Sequence, residues 1–433
     1  MAFSHSIIKK IIGGLEKMKK LVFSALLVVL CISLFAQITA TPYGSARVGY
    51  WLENYDEDLS KYEDAYMDAR YFLQSNSRFG VNFKDENFDA KIEFGAAPSL
   101  RLLWARQKFG SWSLLVGQEE VVPFLKTNQV WDSDKNTLDY GAVDGGRRMQ
   151  VKFEMDNGFY LALVDPNVQY GQDEKDYIGP TVHDKMVPMI NVGYNWKSEK
   201  FSIHPTFVFQ TFSFSDIKNP EKKVKHKYEW KVFNPDSLDV YHPILTEERE
   251  VEYMSQEALD TSIVSWMGAL TAEYNADPIL VRASFNYGTN TGNMGFQGPN
   301  PSMMWNWIQK EIVVQQADTL NAAETVKVTT NEVDIYDTTT LGGWLTVQYT
   351  MNPTVNFTAG FGYAASSNEM FKDKDKDNKE VSDTAMAVFL QSQIKINRFR
   401  LLPEVGLMDK MDSKAGEKEG SLMYFGTQLR LDF

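Results

Sequence analysis

The chain has 433 residues, a formal net charge of −13 at pH 7, and an aromatic content of 13%. An acidic chain of this kind is not expected to bind nucleic acid, because the phosphate backbone is bound mainly by lysine and arginine. The single cysteine, Cys31, lies in an apolar run near the N-terminus, so the rest of the chain offers neither a disulfide nor thiol chemistry.

The N-terminal region is typical of a secretory signal peptide. Lys19 and Lys20 form a basic start, residues 21–35 are an apolar run, and small residues follow. The run is too short to be interpreted as a spanning helix. We expect residues 1–36 to be a signal peptide, with cleavage near Ala36 or Ala40. Residues 1–17 do not fit a signal, and we interpret them as an over-extended start.

The remainder of the chain, residues 37–433, is dominated by alternation of apolar and polar residues. Past residue 40 no apolar run approaches the length of a spanning helix, so a membrane protein of this sequence must be a closed sheet. Period-two alternation predicts β-strands with one apolar face. Sixteen predicted strands span 43–52, 70–84, 88–97, 100–109, 112–118, 147–155, 159–164, 186–197, 201–214, 262–275, 279–289, 340–351, 355–365, 383–396, 399–409 and 420–433.

The connections between these segments alternate in length. Tight clusters of Gly, Asn, Asp and Pro follow the even-numbered segments, as in hairpin turns. Longer polar loops follow most odd-numbered segments, at 53–69, 119–146, 165–185, 215–261, 290–339 and 366–382. This asymmetry is typical of outer-membrane barrels, which have short periplasmic turns, whereas a soluble sandwich has no reason to sort its loops. An even strand count predicts that both termini are periplasmic.

The two faces of the predicted strands differ in polarity. Val151 and Phe153, for example, alternate with Gln150 and Lys152. A charged residue facing lipid would cost about 2–4 kcal/mol at the bilayer midplane, so the charged face must point inward. The predicted fold class is therefore all-β, a transmembrane antiparallel up-and-down β-barrel of about sixteen strands. Aromatic residues near strand ends are predicted to form interfacial girdles, namely Tyr50, Trp51, Trp112, Tyr194, Trp196 and Trp266.

Three segments carry a family resemblance. Residues 421–433 alternate strictly and end on Phe433, which resembles the closing strand of bacterial outer-membrane barrels. Residues 77–94 and 101–118 resemble two hairpins of the general bacterial porins. The remote resemblance implies an inward-folded loop at 119–146, a terminal Phe433 read as an assembly signal by the barrel-assembly machinery, and a homotrimer. The short loop at 97–99, which leaves one wall nearly bare, also favours a trimer.

The residues predicted to line the pore form two groups of opposite charge. The basic group on the wall strands is Arg47, Arg78, Arg106, Arg148, Lys152, Arg282, Arg400 and Arg430. The acidic group on the constriction loop includes Glu119, Glu120, Asp132 and Asp134. Opposed charges across a narrow wet gap create a transverse field that orients dipolar solutes. Alternatively, the arginines pair with neighbouring wall carboxylates such as Glu93, Glu154 and Glu404.

The predicted function is passive diffusion of small hydrophilic solutes and ions through the outer membrane of a Gram-negative-type bacterium. No catalytic residue, metal site or cofactor is predicted, and the expected partners are outer-membrane lipid, the assembly machinery and the solutes. One alternative is a substrate-specific channel for an anion such as phosphate, suggested by the inward arginines. Another is a structural or adhesive surface barrel that uses the large loops at 215–261 and 290–339.

Overall fold

The computed structural model describes residues 38–59, 65–97, 99–121, 123, 125–131, 140–167, 170–172, 182–184, 187–215, 229–232, 241–244, 261–316, 324–373, 379–412 and 419–433. The predicted signal peptide lies outside the described residues. Among those described, the only helix is a 3₁₀ turn at Thr291–Met294. No helix in the described ranges has the length and hydropathy needed to cross a membrane.

The described chain is built almost entirely from β-strands. Numbered in chain order, they are β1 (Thr39–Tyr55), β2 (Tyr66–Leu73), β3 (Arg78–Lys84), β4 (Phe88–Gly95), β5 (Leu100–Phe109), β6 (Trp112–Glu120), β7 (Arg147–Met155), β8 (Phe159–Val164), β9 (Tyr170–Gln172), β10 (Val182–Asp184), β11 (Met189–Tyr194), β12 (Trp196–Lys197), β13 (Phe201–Ser215), β14 (Glu229–Val232), β15 (Tyr241–Ile244), β16 (Thr261–Ala276), β17 (Ile279–Thr289), β18 (Met303–Gln316), β19 (Glu324–Tyr336), β20 (Thr339–Asn352), β21 (Val355–Asp373), β22 (Lys379–Ile396), β23 (Phe399–Asp412) and β24 (Ser421–Asp432).

These strands make a closed antiparallel barrel with sixteen wall positions in the described part of the chain. β2 and β3 lie end to end along β1 and share one position. β10, β11 and β12 likewise share one position along β13. The hairpins β14–β15 and β18–β19 are not part of the barrel sheet, and β9 pairs in parallel with β18. The predicted fold class, including the strand number, is confirmed.

The barrel closes between its first and last strands. β1 and β24 pair from Ser45 with Asp432 to Tyr55 with Leu422. The N–H of Gly44 donates to the carbonyl of Phe433 at 2.7 Å, and the N–H of Phe433 donates back at 3.1 Å. Closure removes the two unpaired edges that an open sheet would expose.

The two ends of the barrel differ as the sequence predicts. Seven connections of two or three residues lie at one end, for example 110–111 between β5 and β6 and 397–398 between β22 and β23. The predicted loop at 366–382 is wrong for most of its length, because β21 runs to Asp373 and β22 starts at Lys379. This part of the hairpin reads SSNEMFKD and lacks apolar alternation, so its pairing left no mark in the hydrophobic pattern.

The outward face of the wall is apolar and the inward face is mostly polar. On β20, Leu345 and Val347 are 45% and 41% exposed, whereas Trp344 and Thr346 are 4% and 3% exposed. The same alternation places Leu429 outside and Gln428 inside on β24. This is the arrangement that a hydrocarbon exterior and a wet lumen require.

One predicted girdle residue lies on the other face. Trp51 is fully buried inside the barrel, in edge-to-face contact with Tyr424 at a centroid distance of 5.9 Å. Successive side chains of a strand point to opposite faces, so Tyr50 and Trp51 cannot both face lipid. Tyr50 takes the outward position and is 45% exposed.

Candidate functional site

A chain segment from the loop after β6 crosses the lumen to the opposite wall. Residues 125–131 contact β1, β17, β20, β22, β23 and β24 from the inside. The side-chain amide of Asn128 donates to Gln348 at 3.1 Å, and the backbone carbonyl of Asn128 accepts from the side chain of Gln391 at 2.7 Å. We refer to residues 125–131 as the inserted segment.

Glu404 on β23 is the main anchor of the inserted segment. Its carboxylate is 2% exposed. It accepts hydrogen bonds from the N–H groups of Val130 at 2.9 Å and Trp131 at 3.1 Å. The side chains of Gln391 at 2.7 Å and Tyr424 at 3.0 Å complete its shell. The sequence suggested Glu404 as an arginine partner, whereas its hydrogen-bond partners among the described residues are all uncharged donors.

Glu53 on β1 provides a second anchor. It accepts from the indole N–H of Trp131 at 3.0 Å and from the hydroxyl of Tyr55 at 2.8 Å. Arg70 donates to the same carboxylate through Nε at 2.8 Å and also through Nη2. The Trp131 ring stacks on Tyr424 at a centroid distance of 4.9 Å. Polar anchoring and aromatic packing therefore act on the same residue.

An apolar cluster inside the lumen supports these anchors. Trp51, Trp344, Phe389 and Leu402 of the wall pack in one buried cluster with Val130. Because this cluster fills the lumen beside β1 and β20–β24, the inserted segment is held as part of a small internal core.

A second segment, 290–302, also enters the lumen, which sequence reasoning missed. Val143 forms an isolated bridge with Phe296, and Gly141 N–H donates to Gln297 at 2.8 Å. The Phe296 ring lies against Gly342 on the inner wall. The Asn and Gly residues of this stretch indicated only a loop, because nothing local specifies whether a loop turns inward.

Two of the four predicted acidic residues belong to a wall strand and not to the loop. Glu119 and Glu120 belong to β6, which pairs with β7 as far as Glu120 with Arg147. The loop therefore starts at Val121, and Glu119 stands beside Arg148 on the adjacent strand rather than across the lumen. The loop was predicted to begin at residue 119, and it begins two residues later. Strand pairing continues past the last apolar residue of β6 because Arg147 and Arg148 of β7 still pair with it. Asp132 and Asp134 lie outside the described residues.

Most of the predicted basic residues lie beside wall carboxylates. The N–O distances are 3.6 Å for Arg78 to Glu93, 2.8 Å for Arg106 to Asp89, 3.0 Å for Arg106 to Glu154, 2.8 Å for Lys152 to Glu154, 2.7 Å for Arg282 to Glu273, and 3.0 and 2.6 Å for Arg400 and Arg430 to Asp432. These basic residues thus follow the alternative in which arginines pair with neighbouring wall carboxylates. These pairs still present charge to a wet lumen, since most of them are partly exposed.

Arg47 and Arg148 differ from the rest. Arg47 is 1% exposed, and its Nε donates to Ser45 at 3.2 Å. Its Nη2, like Nη1 of Arg148, is buried without a hydrogen-bond partner among the described residues. Neither arginine has a carboxylate within salt-bridge distance in the described part of the chain.

In the described part of the chain, six of the eight predicted basic residues line two lumenal cavities. One, of about 330 Å³, is lined by Arg47, Arg78, Arg400 and Arg430 together with Lys126 of the inserted segment. The other, of about 290 Å³, contains Arg106 and Lys152 with Glu154 and His204. Arg282 stands apart, donating to the carbonyl of Lys126 at 3.3 Å.

Lys126 of the inserted segment has a shifted pKa. Burial lowers the pKa of its ammonium. The Glu120 carboxylate raises this pKa less strongly, and the positive charges of Arg78 and Arg47 lower it further.

No protein-family model matches this sequence, and no curated protein sequence matches it. Solved structures do. The outer membrane channel DcaP of Acinetobacter baumannii superposes with a TM-score of 0.55 at 12% identity, over 92% of this chain and 98% of that one. An anion-selective porin from Comamonas acidovorans gives 0.48 at 13% identity, over 92% and 100%. OmpT of Vibrio cholerae gives 0.49 at 13% identity, over 92% and 98%.

The superposition with DcaP and the closed sixteen-strand wall define the class of protein as one with the porin fold. At 12% identity the similarity is remote and concerns the fold alone.

Proposed function

We propose that this protein is an outer-membrane porin that lets small hydrophilic solutes and ions diffuse passively. The observation that carries the proposal is the contrast between an apolar exterior and a lumen that retains two cavities lined by charged side chains. Charged walls keep water and ions in a passage, whereas an apolar lumen of that width would favour dewetting. The inserted segment narrows the passage, so it sets the largest solute that can cross.

The same proposal includes the export of the protein and its orientation in the outer membrane. Residues 1–36 direct export and are removed, and residues 37–433 form the barrel with its inward-folded loop. Both termini lie in the periplasm, since the short turns occupy the end where β1 begins and β24 ends. The barrel-assembly machinery inserts it, with Phe433 as part of the signal.

We also propose a homotrimer. β4 ends at Gly95 and β5 begins at Leu100, so the connection between them is only four residues long and covers little of the wall beside it. Phe79 and Leu103 on this wall are 51% and 50% exposed, which suits contact with a second barrel. Native mass measurement in detergent tests this proposal; a monomer alone would contradict it.

Liposome swelling tests the porin function. Vesicles that contain the protein should swell in isotonic arabinose, more slowly in larger uncharged sugars, and not in a polysaccharide. A barrel used only for structure or adhesion predicts swelling equal to that of protein-free vesicles for every sugar.

A further inference from the structure

The outward face of strands β20–β24 contains a groove of about 480 Å³. One row of paired positions crosses all five strands through it, and its members are Val347, Ala359, Leu390, Val405 and Phe425. Large apolar side chains border the groove, since Leu390 and Phe425 are 62% and 59% exposed. Short side chains at Ala359, Ser392 and Pro403 lie between them and indent the surface.

The groove coincides with an interruption of the pairing between β22 and β23. These strands pair at Gln391 with Glu404 and next at Ile394 with Leu401, and within these described stretches the positions between have no paired residues. Pro403 lies in this interval and has no backbone N–H to donate. Small side chains and the interrupted ladder together leave an indentation that the wall does not fill, which forfeits dispersion contacts unless another molecule occupies it.

The position of the groove along the strands places it inside the apolar band of the wall. Ser392 precedes Asn397 of the short turn by five residues, and Pro403 follows Arg398 by five. At about 3.3 Å per residue and a strand tilt of about 45°, five residues rise roughly 12 Å from the turn. The apolar band of such barrels is about 25 Å tall. The groove is therefore within reach of the acyl chain of a lipid whose headgroup lies at the short turns.

Arg398 provides charge complementarity for such a headgroup. It is exposed at the short turn between β22 and β23, below the groove. The carboxylate of the adjacent Asp432 is bound by Arg400 at 3.0 Å and Arg430 at 2.6 Å, and Arg398 has no ion pair among the described residues. A guanidinium group matches the oxygens of a phosphate in its fork geometry. An apolar groove above an exposed arginine suits a phospholipid.

We propose that this groove binds one acyl chain of a phospholipid of the periplasmic leaflet, with the phosphate of its headgroup at Arg398. The inference rests on the proposed placement in the outer membrane and does not require conductance. Each methylene group that leaves water or fills the indentation adds to the affinity. The wall proposed to contact a second barrel, around Phe79 and Leu103, lies on β3 and β5, and β1 and β24 separate it from the groove.

Native mass spectrometry of the purified protein in detergent, titrated with dioleoyl phosphatidylglycerol, tests the site. We expect one lipid per barrel to bind saturably. Ala359→Leu fills the floor of the groove and should weaken this binding about tenfold, the loss expected when about two methylene groups are displaced. Arg398→Gln should weaken it about threefold, as for an exposed ion pair.

Ala283→Leu is the matched control, because Ala283 shares the outward face of β17 with Phe285 and does not line the groove. It should leave lipid binding unchanged. If Ala359→Leu fails to fold, as judged by heat-modified migration, Ser392→Leu takes its place with the same expected loss.

Equal lipid affinity in the groove variant, the control and the wild type overturns the acyl-chain site, and equal affinity in Arg398→Gln overturns the position of the headgroup. A changed oligomeric mass in Ala359→Leu with lipid binding intact assigns the groove to a second copy of the chain and also overturns the inference. Lipid binding as expected in a barrel that gives no liposome swelling contradicts the proposed function instead.

Discussion

Glu404 joins two parts of the chain that are far apart in sequence. Its carboxylate accepts from Val130 and Trp131, which lie 274 and 273 residues away. A buried carboxylate is stable only when donors surround it, and here the donors come from the segment that must be fixed. The same hydrogen bonds therefore stabilise the buried carboxylate and fix the position of the inserted segment.

Replacing Glu404 with Gln should loosen the inserted segment. The amide has one acceptor oxygen and turns an NH₂ group toward existing donors, which leaves at least one buried N–H unsatisfied. We expect a loss of about 1–3 kcal/mol in the free energy of unfolding and more frequent subconductance steps. Urea unfolding in detergent and single-channel noise measure the two effects. Asp89→Asn is the control, since Asp89 contacts Arg106 on the wall; equal noise in both variants would contradict the anchoring role.

Lys126 should make ion preference sensitive to alkaline pH. Because burial lowers the pKa of Lys126, its ammonium loses its proton at a lower pH than an exposed lysine, whose ordinary pKa is about 10.4. As pH rises, the lumen loses this positive charge and anion preference declines. Reversal potentials from pH 7 upward should show a step that Lys126→Met removes. An unchanged step in Lys126→Met would assign the titration to another group.

At the scale of elements, the closing strand depends on its last residue. The backbone of Phe433 exchanges two hydrogen bonds with Gly44 at the β1–β24 seam, and its ring lies against Gly44. Deleting Phe433 should reduce insertion into the outer membrane far more than it reduces the stability of the barrel already formed. The measured quantity is the fraction of heat-modifiable barrel in outer membranes. Equal insertion with and without Phe433 would show that another segment carries the signal.

The wall strands could be predicted because their signals are local. Alternation identifies a strand from its own residues, and turn residues mark its end, so β5 and β17 match their predicted spans of 100–109 and 279–289. Where polar residues continue a strand beyond the membrane, as at the ends of β21 and β22, alternation is lost and the prediction is too short.

The lumen could be predicted only in part. Parity of the strands placed the arginine side chains on the inner face, but their partners depend on which strands are neighbours and on their register. The pairing of Arg106 with Glu154 joins strands β5 and β7, and the anchoring of Trp131 on Glu53 joins a loop to the first strand. The entry of residues 290–302 left no local signal, because the buried Phe296 finds its partner only in the folded barrel.

Across the whole molecule, positive and negative charges are distributed unevenly. The overall charge is negative, yet the cavity under the inserted segment is positive. Neutralising Arg106 and Arg148 together should shift selectivity toward cations, because two fixed positive charges are removed, Asp89 loses its arginine partner and Glu154 keeps only Lys152. The shift in reversal potential should shrink at high salt, where the Debye length falls to about 3 Å at 1 M. An unchanged potential at low salt would show that these arginines do not face the ion path.

The proposed function requires a continuous aqueous passage through the barrel. Conductance of the purified protein in a planar lipid bilayer, measured as a function of potassium chloride concentration, tests it most directly. We expect discrete, long-lived openings whose conductance rises with bulk salt and whose current is nearly linear at low voltage. Insertion of heat-modifiable, correctly folded barrel without any current would contradict it, because the inserted segments would then close the lumen completely.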